Sequence, residues 1–170
     1  MAQGLATTAL LSEEQQKLAK AAASVYDLRV DSDAVVDSMY ASACQFSDPL
    51  VLVSGPAHVK AQFRSLRMLF REIDFQVEGV GLLGEKVVIE ASVTYVPKRM
   101  PRACAVRLKQ FTTLTSTAGR VLLHEDHWSI HGVLVAITGL GWLYQGWRKA
   151  LGTASSVAVD LISCPKRKGS

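Results

Sequence analysis

Near residue 74 the spacing of apolar residues changes period, and that change leaves the chain very few architectures. Before it, apolar residues recur every three to four positions, as on one face of a helix. After it they alternate, as on a half-buried strand. Helices first and a run of long strands afterwards predict an α+β fold, with the helices packed on one face of an antiparallel sheet. At 170 residues the chain is about the size of one such domain and too short for two well-packed ones.

Ser12-Glu13-Glu14-Gln15 has the form of a capping box, and Leu18, Ala22, Val25 and Leu28 follow it at helical spacing. Asp31 is placed to cap a second helix carrying Val35, Val36, Met39 and Tyr40, broken by Phe46-Ser47-Asp48-Pro49. A short strand over Leu50–Val53 leads to Ser54-Gly55-Pro56, where proline opens a third helix without losing a needed N–H. Val59, Phe63, Leu66, Phe70 and Ile73 form its apolar face. Four strands are predicted at 74–82, 86–96, 103–116 and 120–131, and a last helix at 140–150. The expected organisation is a flexible N-terminus over 1–11, a domain over 12–131, an apolar, partly helical extension over 132–163 and a basic tail over 164–170.

Alternation assigns the sheet faces. Val87, Ile89, Ala91, Val93 and Tyr95 share one side of the second long strand. Cys104, Val106, Leu108, Gln110, Thr112 and Leu114 share a side of the third, and Leu122, His124, Asp126, Trp128 and Ile130 a side of the fourth. These are the more apolar sets, so they are placed inward. The interior then contains a few converging polar groups, which is how small-molecule pockets are built. Tyr40, Phe63, Tyr95, Gln110, Thr112 and Trp128 are the expected ligand-lining residues.

Charge divides the chain. Residues 1–85 carry 7 Lys/Arg against 11 Asp/Glu, and residues 86–170 carry 12 against 4. Lys98, Arg99, Arg102, Arg107 and Lys109 concentrate on one hairpin and the outward sheet face, where phosphates or anionic lipid could meet them. No helix-turn-helix, zinc finger or RNA-recognition motif accompanies them, so nucleic acid is not an expected partner. Cys44, Cys104 and Cys164 are odd in number and widely spaced, which fits neither a disulfide framework nor a structural zinc site. The first eleven residues lack the Lys or Arg of a secretory signal. An intracellular, cytoplasmic location is therefore expected. Gly132–Trp147 is uncharged but too short and too rich in glycine for a spanning helix.

Tyr40 through Phe46-Ser47-Asp48-Pro49, Gly55-Pro56, Phe111 and the segment Ala118-Gly119-Arg120-Val121-Leu122-Leu123-His124-Glu125-Asp126-His127-Trp128-Ser129 together resemble the nuclear-transport-factor-2-like superfamily. Within it they are most similar to the SnoaL-like cone-shaped domains. The resemblance covers about residues 12–131 and implies helices packed on a strongly curved sheet, a cone-shaped α+β barrel. Enzymes of the superfamily, among them ketosteroid isomerases, polyketide cyclases, dehydratases and limonene-epoxide hydrolases, place a carboxylate or histidine inside the cone, while many other members are non-catalytic binding or assembly modules. Asp126 falls on a position that resembles the water-activating carboxylate of the epoxide hydrolases. The Arg-x-Asp those enzymes pair with it is replaced here by Glu90-Ala91-Ser92-Val93, and the final Asp of the closing strand is Ser129.

Asp126 and His124 are the expected catalytic pair. Two apart on one strand face, they lie about 7 Å apart at the backbone and can share a substrate. Either could act as a general base next to a carbonyl, with Tyr95 or His124 donating to the developing oxyanion. His124, His127 and His131 would meet on a helix but not on a strand, so no metal site is expected, and no cofactor. The expected partner is a small apolar molecule, with a homodimer through Glu90, Ser92 and Thr94 as a further possibility. A different class of function also stays open: a non-catalytic module that docks a protein or an anionic membrane through its basic face and the aromatics Trp142, Tyr144 and Trp147.

Overall fold

The computed structural model describes residues 11–129. The N-terminal stretch, the apolar extension, the basic tail and the helix expected at 140–150 lie outside the described residues. Helix α1 (Glu13–Ser24) starts with the anticipated capping box: the Ser12 N–H donates to the Gln15 side chain at 2.9 Å, and the Gln15 N–H to Ser12 Oγ at 3.2 Å. Helix α2 (Ser32–Met39) is capped by Asp31, which accepts from the N–H groups of Asp33 and Ala34. Helix α3 (Pro56–Leu69) begins at Pro56, after Gly55 turns the chain with φ +84°, a left-handed value that favours glycine.

Six strands form one sheet: β1 (Tyr40–Ser47), β2 (Leu52–Ser54), β3 (Phe70–Leu83), β4 (Lys86–Pro97), β5 (Val106–Thr117) and β6 (Arg120–Trp128). Their order is β2-β1-β6-β5-β4-β3. All neighbours are antiparallel except β1 and β6, which run parallel, so the sheet is mixed rather than purely antiparallel. β1 was not expected. Its Tyr40, Cys44 and Phe46 face the core, but the pairing slips between Tyr40 and Gln45, and that irregularity hides the alternation in the sequence. As a result the second helix ends at Met39 rather than running to the break at Phe46.

The helices cover the inner face of the sheet. Leu18, Ala22, Val36, Val59 and Phe63 pack against Val87, Ile89, Leu114 and Val121 in one core. On β4 and β5 the alternation holds as read, with Val87, Ile89, Ala91 and Val93 buried opposite Leu108, Gln110, Thr112 and Leu114. On β6 a register shift opposite Thr115 and Ser116 changes the phase. Val121, not Leu122, is the buried residue before His124 and Asp126. Cys104 is half-buried in a 3-10 turn ahead of β5 rather than inside the strand. No helix among the described residues is long and apolar enough to cross a membrane.

Candidate functional site

A cavity of about 480 Å³ opens between α3, the inner sheet face and the β4–β5 connection. That size lies within the roughly 300–1,000 Å³ usual for small-molecule sites. Its wall is mostly apolar, with Phe46, Phe63, Leu66, Phe70, Leu108 and Trp128 among the lining residues. Two carboxylates reach it. Asp48 is engaged by its own loop, accepting from the N–H groups of Leu50 and Val51 at 2.7 Å each. Asp126 is the other, and its side chain is 4% exposed.

A connected set of hydrogen bonds holds Asp126. Its Oδ1 accepts from Thr112 Oγ1 at 2.6 Å and lies 3.2 Å from His124 Nε2, while the Tyr26 hydroxyl donates to Oδ2. Thr112 in turn accepts from Gln110 Nε2 at 3.1 Å, and Gln110 Oε1 accepts from the Tyr95 hydroxyl at 3.3 Å. On the far side, Tyr40 Oη lies 2.7 Å from His124 Nδ1. A carboxylate at Asp126 only accepts, so Nε2 then carries hydrogen toward Oδ1, and Nδ1 either accepts from the Tyr40 hydroxyl in a neutral ring or donates to it in a charged one. Three donors on four acceptor positions leave Asp126 one lone-pair direction for a ligand.

His124 is fully buried and does not line the cavity. Its ring lies nearly parallel to that of Tyr40, end to end with it at 6.1 Å through the hydroxyl, and is walled in by Phe46 at 5.2 Å and Phe63 at 5.7 Å. Burial pushes the hydroxyl pKa values of Tyr26 and Tyr40 well above the ordinary phenol range, and the nearby Asp126 charge adds to both. The same two causes raise Tyr95. All three therefore keep their protons within the network.

Of the residues anticipated for the site, Phe63, Tyr95, Trp128 and Asp126 line the cavity. Tyr40, Gln110, Thr112 and His124 stand behind the wall: Gln110, Thr112 and His124 bond to the lining residues Tyr95 and Asp126, and Tyr40 bonds to His124. His127 is exposed on the opposite sheet face from His124, as strand geometry requires. Tyr26 is a functional candidate that the sequence reading missed. It lies just past α1, lines the cavity, stacks on Phe75 at 4.6 Å and bonds Asp126. The spacing Leu18, Ala22, Tyr26 continues one helical stripe, and a hydroxyl at its end was the available signal.

No protein-family model matches the chain, and no curated protein matches it. Solved structures do. A nuclear-transport-factor-2-like protein of unknown function from Burkholderia pseudomallei is 16% identical, with a TM-score of 0.63 over 75% of this chain and 99% of its own. An epoxide hydrolase of the limonene-epoxide-hydrolase-like type from M. tuberculosis is 12% identical, with a TM-score of 0.60 over 73% of this chain and 89% of its own. A protein classed with the SnoaL-like polyketide cyclases, from Jannaschia sp. CCS1, is 18% identical, with a TM-score of 0.60 over 75% and 96%. At such identities the likeness concerns the fold.

Proposed function

Starting from the nuclear-transport-factor-2-like cone fold that this chain has, we propose that it binds a small apolar carbonyl compound in the cavity and that Asp126 removes a proton next to the carbonyl. The observation that carries this reading is the placement of one carboxylate, held by three donors, on the wall of an otherwise apolar cavity. A base fixed in a water-poor site needs little reorganisation to take a proton, and positioned general bases contribute on the order of 10²–10⁴ in rate. Tyr95, a lining residue kept protonated by burial and only loosely engaged by Gln110 Oε1 at 3.3 Å, is the donor that can turn to the enolate oxygen. The Tyr26 proton stays directed at Asp126. His124 serves as a positioning residue, because it touches Asp126 and not the cavity.

Epoxide opening is the less favoured chemistry. The sequence at Glu90-Ala91-Ser92-Val93 lacks the Arg-x-Asp partners, and among the described residues no arginine lines the cavity. The direct test is hydrogen–deuterium exchange of the α-protons of cyclohexanone and a β,γ-unsaturated cyclic ketone in D₂O, followed by NMR. Exchange faster than buffer that disappears in Asp126→Asn supports the reading. Exchange equal to buffer, or unchanged in Asp126→Asn, removes it.

A further inference from the structure

Three residues that line the cavity also stand largely in solvent: Leu50 at 71%, Leu69 at 59% and Met100 at 49% exposure. Met68, beside Leu69, is 76% exposed. The apolar wall therefore continues outward onto the surface. These residues come from three separate places: the loop before β2, the end of α3 and the β4–β5 connection. The Lys98 N–H donates to the Leu69 carbonyl at 3.0 Å and joins the last two. Single exposed apolar side chains are ordinary, but tips converging from separate loops around a cavity mouth mark a contact surface.

We propose that this rim docks the protein on an anionic lipid bilayer, with the cavity mouth facing the membrane. Charge selects the occupant. The connection that presents Met100 also carries Lys98, Arg99 and Arg102, all exposed. Arg102 reaches Glu72 at 3.0 Å, whereas neither Lys98 nor Arg99 pairs with a carboxylate among the described residues. Asp48, the carboxylate next to Leu50, is turned to its own loop. Apolar tips flanked by cations match the depth profile of a bilayer surface, where leucine and methionine reach the acyl boundary and cations meet anionic headgroups.

The remainder of the chain does not supply the complementary charge. Residues 130–170 contain Arg148, Lys149, Lys166, Arg167 and Lys168 against Asp160 alone. A second copy set symmetrically on the rim would oppose basic groups to basic groups. An anionic bilayer satisfies both the apolar and the basic parts of the surface. The proposal does not depend on the chemistry at Asp126, since it concerns the rim only.

Co-sedimentation of the full-length chain with phosphatidylcholine vesicles, and with vesicles that also contain phosphatidylserine, tests it. The expected result is binding that requires phosphatidylserine and weakens with added salt. The Lys98→Glu/Arg99→Glu double variant should lower partitioning about 25-fold or more, at roughly fivefold for each cation lost. Leu50→Ser/Met100→Ser should also release the protein. Both positions are exposed, so these variants are expected to keep the wild-type circular dichroism. Equal binding to both vesicle types overturns the proposal. So does phosphatidylserine binding that neither rim variant changes, which would assign the contact to another surface such as the 164–170 tail. Absence of vesicle binding, with a dimer that Leu50→Ser/Met100→Ser separates, overturns it in favour of a contact between copies.

Discussion

His124 and Asp126 stand two residues apart on the same face of β6, yet their surroundings differ in kind. His124 is sealed behind Tyr40, Phe46 and Phe63, and both of its ring nitrogens have protein partners. Asp126 has protein partners on both oxygens too, but one side of it faces an open apolar cavity. The difference separates two uses of a buried polar group. One completes a network and fixes geometry; the other presents a charge to whatever enters. A mutation at the first should be felt mainly in folding, and a mutation at the second mainly in ligand chemistry.

The largest expected effect is at the sealed end. His124→Ala leaves the Tyr40 hydroxyl without its partner and opens a void among aromatic rings, at a cost of about 3–5 kcal/mol in stability. Urea unfolding measures it, and a loss below about 1 kcal/mol would erase the distinction drawn between the two residues. At the cavity end, Asp126→Asn should cost only about 1–2 kcal/mol of stability, while α-proton exchange falls on the order of 10²–10⁴-fold. An Asp126→Asn protein that is badly destabilised yet still active would invert the comparison.

The two tyrosines sharpen it on a smaller scale. Tyr26→Phe and Tyr40→Phe each remove one buried hydroxyl, at about 1 kcal/mol apiece. Only Tyr26 touches both the carboxylate and the cavity, so only Tyr26→Phe should slow exchange, by several-fold. Equal slowing in both variants would mean that the network acts as one unit.

The smallest effect is seen in base. Tyr26, Tyr40 and Tyr95 have folded pKa values raised above 10, first by burial and then by the Asp126 charge. A raised value means the native state holds the proton more tightly than the unfolded chain. Their contribution is intact below pH 10 and is lost as pH climbs above it toward the folded values. Absorbance titration should show no more than one of the four tyrosines ionising before the protein unfolds. Two or more free phenols in the folded protein would show that the network is open to water.

Much of this was legible in the chain. Ser12 with Gln15, Asp31, and Gly55-Pro56 set the three helix starts, because capping and proline preferences act over a few residues. The inward faces of β4 and β5, and so the convergence of Tyr95, Gln110 and Thr112, followed from strict alternation. Where pairing slips, that logic fails. β1 was hidden by its irregularity beside β6, and Val121 replaced Leu122 because of the shift on β6.

By itself, then, the sequence determined the order of the elements other than β1, the helix caps and the polar residues carried on the inner face, since each depends on near neighbours and on the period of a strand. Only the tertiary structure decided which of those polar residues meets the cavity. Tyr26 comes from a turn 100 positions before Asp126, and the seal on His124 comes from α3 and β1. Local pattern says which way a side chain points from its own strand. What stands opposite it is settled by packing between distant segments, and here that packing gives Asp126 a ligand-facing place and His124 a closed one.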